Sequence, residues 1–266
     1  MRSARLICHG AAPGPWNMAV DELLLAAAAS GGGVAVRLYA WRGPWLSLGY
    51  GQRLEGARRA ACAAAGVGVV RRATGGGAVL HGADLTYTVA APASLLPAGL
   101  DACYARLADA LLEALRSQGV SAGRAGAAAG AAPPGFDCFA RAAAHEICAG
   151  GRKLVGSAQR RTGAGVLQHG SLRLAPDPPQ AARAAGLEAR GSTSLRELGW
   201  CGSLDSLRGA LAEALGAALG CSLEAGDLSP GERRAARATA LGRARSAGKL
   251  PRIAGLAVSR APSFGR

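Results

Sequence analysis

Two pairs of strand-like runs in this chain are joined by connections too short for a crossover, which restricts the fold more than any other feature. Val67 to Arg72 and Ala78 to His81 flank Thr74-Gly75-Gly76-Gly77, and Glu146 to Cys148 and Arg152 to Ser157 flank Gly150-Gly151. Parallel neighbours need a dozen or more linking residues, whereas a glycine pair closes an antiparallel hairpin by tolerating positive φ. Helical segments are interspersed among these runs. The sequence therefore predicts an α+β fold of mixed or antiparallel sheets flanked by helices, not a doubly wound parallel sheet.

Other elements follow from caps and periodicity. Asn17 reads as the N-cap of a helix from Met18 to about Ser30, with Asp21 and Glu22 near its positive end. Val34 to Trp41 and Leu46 to Tyr50 read as strands around Gly43-Pro44, and Arg58 to Ala65 as a short helix. Leu85, Tyr87 and Val89 alternate with Thr86 and Thr88, the period of a half-buried strand. Asp101 reads as the cap of a helix through Leu107, Leu111 and Leu115, followed by a mobile Ala/Gly/Pro loop over Ser121 to Gly135. Val166 to Leu174 reads as a strand, and Leu204 to Leu219 as an amphipathic helix closed by Gly220. Ser229-Pro230-Gly231-Glu232 is a capping box that predicts a further helix toward Arg245. The organisation expected is one domain over 1–225, a helical extension over 226–250 and a basic, frayed tail over 251–266.

Half of the residues are apolar, enough for a full core, yet no apolar run reaches the length of a membrane span. Arg2 and Arg5 precede an apolar stretch interrupted by His9, Gly10, Pro13 and Pro15, which is not a signal peptide. Seven irregularly spaced cysteines fit a reducing compartment, so a cytoplasmic location is expected. The net charge of +14 suits an acidic partner, and equally suits an arginine-rich coding bias. Of the 31 basic residues only Lys153 and Lys249 are lysines. Lysine at 153 fits either a need for a compact ammonium, which arginine cannot replace, or a chance survivor of the arginine bias.

Four stretches could carry chemistry. Arg71-Arg72-Ala73-Thr74-Gly75-Gly76-Gly77, with His81 beyond, lets backbone N–H groups approach a carbonyl or phosphate, and its spacing is neither Walker nor Rossmann. Gly151-Arg152-Lys153-Leu154-Val155-Gly156-Ser157 displays a lysine beside small residues that leave space over the strand. Such a lysine could bond a substrate carbonyl or a neighbouring thiolate. Cys138 follows Pro133-Pro134-Gly135, where a thiol can be presented as a nucleophile, or can be a structural cysteine; most other cysteines, such as Cys62, Cys103 and Cys148, sit where a small apolar residue would serve. His169, in Leu167-Gln168-His169-Gly170-Ser171, is a candidate acid/base group or a structural strand histidine. The histidines and cysteines lack ligand spacing, so no metal is expected.

In this order the motifs resemble the biotin/lipoate protein ligase and transferase superfamily. The match starts at Asn17-Met18-Ala19-Val20-Asp21 and continues through Arg37 to Trp41, Leu46 to Gln52, the glycine stretch and Asp84 to Val89. It ends with Cys138-Phe139, His145-Glu146-Ile147, the Gly151 strand and Gln168 to Ser171, covering roughly residues 1–250. One departure is Gly82, where many relatives carry an acidic residue beside the histidine.

The resemblance implies a class II synthetase-like catalytic domain. Within the superfamily the chain is most similar to the octanoyltransferases, which implies that Cys138 is the nucleophile and Lys153 its partner. Arg72 and Gly75, Gly76 and Gly77 would line an acyl tunnel beside Gly156 and Ser157, with His81 and His169 shaping its mouth. The reaction implied moves octanoyl from an octanoyl acyl carrier protein through a Cys138 thioester to a lysine of a lipoyl domain or glycine cleavage H protein. It needs no ATP, cofactor, nucleic acid or membrane. The nearest rival is an ATP-dependent lipoate–protein ligase; a basic nucleic-acid-binding module is a more distant one.

Overall fold

The computed structural model describes residues 2–126, 135–140, 142–187 and 191–246. Parts of two sequence expectations therefore lie outside the described residues: most of the loop over 121–135, and the tail over 251–266 with Lys249.

Among the described residues the main sheet has eight strands in the order β11-β1-β2-β6-β10-β9-β8-β7. These are β1 (Arg2–Ala12), β2 (Ala35–Trp41), β6 (Asp84–Pro92), β7 (Gly123–Arg124), β8 (Ile147–Ala149), β9 (Arg152–Arg161), β10 (Gly165–Arg173) and β11 (Cys221–Gly226). β1 runs parallel to both β2 and β11, and the other pairings are antiparallel. A smaller mixed sheet contains β3 (Trp45–Leu48) between β4 (Gly68–Arg71) and β5 (Val79–His81), so the two runs flanking the glycine loop are not paired as a hairpin but are separated by β3. The mixed architecture matches the expectation, as does the hairpin that turns at Gly150 and Gly151 with φ of 55° and 72°.

Helices α1 (Gly14–Ala29) and α6 (Pro230–Ser246) pack together, and α1 covers one face of the sheet. Leu24 and Ala28 of α1 meet Ile7 and Leu167 of the sheet, with Leu228 and Ala236 from the C-terminal segment. Helices α3 (Leu100–Ser117) and α5 (Leu204–Leu219) cover the other face, where Leu107, Leu111, Leu211 and Leu215 join the largest core. Short helices α2 (Gly56–Ala64) and α4 (Pro179–Ala185) pack together beside the small sheet. No helix among the described residues is long and apolar enough to cross a membrane.

Several local expectations need correction. Asn17 does not cap α1; Pro13 does, with Pro15 in the first turn, where a proline's missing N–H costs nothing. Asn17 is buried inside the helix and donates to the Ala12 and Ala40 carbonyls, while Asp21 faces the sheet and not the helix's positive end. Gly99 occupies the N-cap of α3, which puts Asp101 in its first turn. Strand β6 is buried on both faces, not half-buried, because helices cover both sides of the sheet's centre. Strand β3 ends at Leu48, so Gly49 and Tyr50 form a turn. The capping box forms as expected: Ser229 N donates to Glu232 Oε2 at 2.7 Å and Glu232 N to Ser229 Oγ at 3.2 Å.

Candidate active site

The cysteine-bearing segment is held against the residue that ends the glycine loop. Ala78 N donates to the Phe136 carbonyl at 2.6 Å, and Cys138 N donates to the Ala78 carbonyl at 2.9 Å. Gly77 permits this approach, since a Cβ there would sit 2.7 Å from Cys138 N and 2.9 Å from its Cα. The half-buried Cys138 is thereby fixed in backbone position beside the smaller sheet.

Strand β9 brings the lysine to it. The Lys153 ammonium donates to the Cys138 carbonyl at 2.6 Å and to Cys138 Sγ at 3.5 Å. It also pairs with Glu146 Oε1 at 2.6 Å, the two side chains being 1% and 8% exposed. The second Glu146 oxygen accepts the Ala143 N–H at 2.7 Å, so one carboxylate both folds the loop before β8 and anchors the lysine. Gly156 keeps the path open: a Cβ there would lie 3.0 Å from Lys153 Cε. The Phe139 ring lies 5.0 Å from the ammonium, a cation–π contact that further fixes it.

Beside the thiol is a small, partly open cavity lined mostly by apolar surface from Met18, Tyr39, Trp41 and Val79, with Arg72, Cys138, Gly156 and Ser157 also contributing. His81 and His169 form buried walls of it, not an exposed mouth. His81 stacks on Trp41 with ring centroids 3.9 Å apart; its Nδ1 is 2.8 Å from Asp84 Oδ2 and its Nε2 2.8 Å from Ser47 Oγ. Asp84 also accepts from Gly82 N, Thr86 Oγ1 and Ser171 Oγ. Gly82 itself has φ of 134°, a conformation that favours glycine, and the carboxylate beside His81 comes from Asp84 instead.

His169 lies between Thr74 Oγ1 at 2.7 Å and Asp21 Oδ2 at 2.9 Å. Asp21 also accepts from Arg37 and from the Tyr39 hydroxyl. Burial alone would raise both carboxyls. Hydrogen bonding from His169 and the charge of Arg37 hold Asp21 below the usual carboxylate range, and the charge and hydrogen bond of His81 do the same for Asp84.

Arg72 acts on the glycine loop from inside. Its Nη2 donates to the Gly75 and Gly77 carbonyls, both at 2.6 Å, while Nε and Nη1 hold Thr74 and Ser47. Burial pushes this guanidinium below its ordinary value, and its electrostatic interactions with Cys138 and Tyr104 act in the opposite direction. Gly75, Gly76 and Gly77 do not themselves line the cavity. Their carbonyls at 75 and 77 are turned toward Arg72, while Gly75 and Gly76 are exposed.

The structure thus places Cys138, Gly156, Ser157, Arg72, His81 and His169 around one cavity, with Lys153 held against Cys138 behind that lining. Sequence reading missed Glu146, Asp84, Asp21 and Trp41 as members. His145-Glu146-Ile147 and Asp84 to Val89 had been noticed as motifs, but only folding reveals which of their side chains turn inward. The groups present can hold an acyl chain, attack its carbonyl with sulfur and stabilise the resulting negative charge. Among the described residues no group of three His, Cys, Asp or Glu side chains could hold a metal ion.

The chain has relatives that carry the same core. Residues 13–214 match the family model described as the lipoyl protein ligase A/B catalytic domain. It is 37% identical over 255 residues to octanoyltransferase LipM of Symbiobacterium thermophilum, covering 88% of this chain and 92% of that protein. Octanoyltransferase LipM of Kyrpidia tusciae is 36% identical over 258 residues, covering 89% and 94%. In fold it resembles a lipoate-protein ligase A bound with ATP, with TM-score 0.76 and 22% identity over 90% of this chain and 94% of that one. A bipartite lipoate protein ligase from Thermoplasma acidophilum gives 0.70 and 18%, over 90% and 92%. The chain belongs to the lipoyl protein ligase A/B catalytic domain family.

Proposed function

We propose that the protein is an octanoyltransferase acting in protein lipoylation, with Cys138 as nucleophile and Lys153 as the group that stabilises charge at the reacting carbonyl. The observation that carries this reading is the Lys153 ammonium lying 3.5 Å from the Cys138 sulfur at the edge of an apolar cavity. The curated relatives, named as octanoyltransferases, supply the acyl group.

In the first half-reaction the Cys138 thiolate attacks the carbonyl of an octanoyl thioester carried by an acyl carrier protein. A carbon–sulfur bond forms, the bond to the carrier sulfur breaks, and that sulfur leaves as a thiol after taking a proton. The Lys153 ammonium faces the oxyanion that develops between these events, in a buried site where such a contact counts for more than in water. In the second half-reaction a neutral lysine amine of a lipoyl domain or glycine cleavage H protein attacks the Cys138 thioester. The amide forms, and the amine's surplus proton returns to the departing sulfur. Thioester is exchanged for thioester and then for amide, so ATP has no part in it.

Intact-mass analysis after mixing with octanoyl carrier protein tests the scheme. The expected result is one octanoyl adduct, removed by hydroxylamine, mapped to Cys138 and absent from the Cys138→Ser variant. An unmodified protein that instead releases pyrophosphate from ATP and lipoate would replace this reading with the ligase.

A further inference from the structure

From Gly49 to Gly77 the sequence holds five arginines and one carboxylate, Glu55. Among the described residues Arg5, Arg37, Arg173, Arg233 and Arg243 are each paired with a carboxylate. None of Arg53, Arg58, Arg59, Arg71 and Arg160 is in such a pair. Three structural links gather Arg160, Arg71 and Arg58 on the outside of the cysteine site, and Arg53 and Arg59 are neighbours of these in the chain.

Along β9 burial falls from Gly156, through half-buried Ser157, Ala158 and Gln159, to exposed Arg160. The cavity wall therefore reaches solvent at that end. Arg160 crosses the gap and donates to the Ala73 carbonyl of the glycine loop at 3.0 Å. Its guanidinium lies 5.4 Å from the ring of Tyr50, which is 64% exposed, an unusual degree for an aromatic side chain. Arg71 fixes this turn from below by donating to the Gly49 and Tyr50 carbonyls. Further round, Gln52 donates to the Phe136 carbonyl, and Arg58 stacks 4.1 Å over the Phe136 ring, two residues before the cysteine. An exposed aromatic and a spread of uncompensated arginines thus surround the approach to Cys138.

We infer that this rim, centred on Arg160 and Tyr50, is the docking surface for the acidic face of the protein that delivers the acyl thioester. The inference rests on the proposed function and adds the partner's footprint to it. A single anion would need one or two cations; arginines contributed by the 50–53 turn, α2, β4 and β9 suit a surface of distributed carboxylates. Rim charges of this kind act mainly on encounter rate and on salt dependence, by about tenfold or more.

The test compares two donors on the full chain: octanoyl carrier protein, and octanoyl-phosphopantetheine, which keeps the arm and its phosphate but has no protein surface. The second-order rate of Cys138 acylation is followed by intact mass at several salt concentrations. Arg160→Glu is expected to slow acylation by the carrier about tenfold or more and to flatten its salt dependence, leaving the small donor unaffected. Arg160→Gln keeps a donor for the Ala73 carbonyl and should show the same selectivity to a smaller degree, while Arg160→Lys stays near wild type. Equal slowing with both donors would overturn the inference, because Arg160 would then serve the arm or the cavity. No slowing with either would overturn it as well. A wild-type protein acylated by neither donor would instead remove the proposed function on which it depends.

Discussion

Replacing Lys153 by methionine separates the folding role of the ammonium from its chemical one. The side chain is almost fully buried, and its acceptors include Glu146, the Cys138 carbonyl and the Cys138 sulfur. Methionine fills similar space without charge and leaves the Glu146 carboxylate buried, with the Ala143 N–H still bonded to it. Breaking one partner out of a buried pair costs about 3–5 kcal/mol, most of it from the stranded charge. The single variant should therefore lose that much in chemical denaturation. Adding Glu146→Gln removes the stranded charge while retaining an amide oxygen for Ala143, so the double variant should regain most of the loss. Catalysis should not follow. A donor aimed at a developing oxyanion contributes about 10²–10³ in rate, and no other cation among the described residues is within hydrogen-bonding distance of the sulfur. Single-turnover acylation by octanoyl carrier protein should thus stay down by about that factor in the refolded double variant. Wild-type acylation by Lys153→Met/Glu146→Gln would refute the assignment of Lys153 to the carbonyl. Unaltered stability of Lys153→Met would refute the energetics of the pair.

Three further outcomes follow from the geometry. Each methylene buried in the cavity is worth about 0.8 kcal/mol, so kcat/KM should rise about fourfold per CH₂ from butanoyl to octanoyl donors and then fall once the chain outgrows the space; a flat profile would argue against an acyl pocket. Gly77→Ala drives a Cβ into Cys138 backbone atoms at 2.7 and 2.9 Å, contacts that no rotamer can relieve. It should cost about 1–3 kcal/mol in urea titration and slow acylation without altering Cys138 itself. Glu232 is held down at about 2 from its ordinary 4.5, chiefly by its hydrogen bonds from Arg5. A carboxyl lowered on folding stabilises the native state fully above about pH 4.5 and loses that contribution as pH falls toward about 2. Arg5→Ala should flatten the stability–pH curve in that window and nowhere above it.

Features governed by neighbours in sequence were legible before the structure: the Gly150-Gly151 hairpin, the Ser229 capping box, the heptad-like leucines of α5 and the Lys153 strand. What escaped was set at long range. Strand β1 has no counterpart in the sequence reading, where its interruptions at His9, Gly10, Pro13 and Pro15 bear only on a signal peptide, yet it is ordered by partners on both sides. Asn17 looked like a cap, but Arg37 and the Ala12 and Ala40 carbonyls claim its side chain. Glu146 lies seven residues from Lys153, and only the turn at Gly150 swings the carboxylate onto the ammonium. Cys138 and Lys153 were singled out separately; the parallel stub at Ala78 and Asp137 is the link that no periodicity could announce.

The pairing of β1 with β11 has a consequence for how the molecule is made. Arg2 lies beside Cys221, so the edge strand on the β1 side of the main sheet cannot be laid down until synthesis has passed Cys221. Until then an unshielded row of β1 amides and carbonyls is open to any other nascent chain. Contacts between such distant residues also slow folding. A product ending before Cys221 should therefore aggregate on release from the ribosome, even with every residue around the thiol already present.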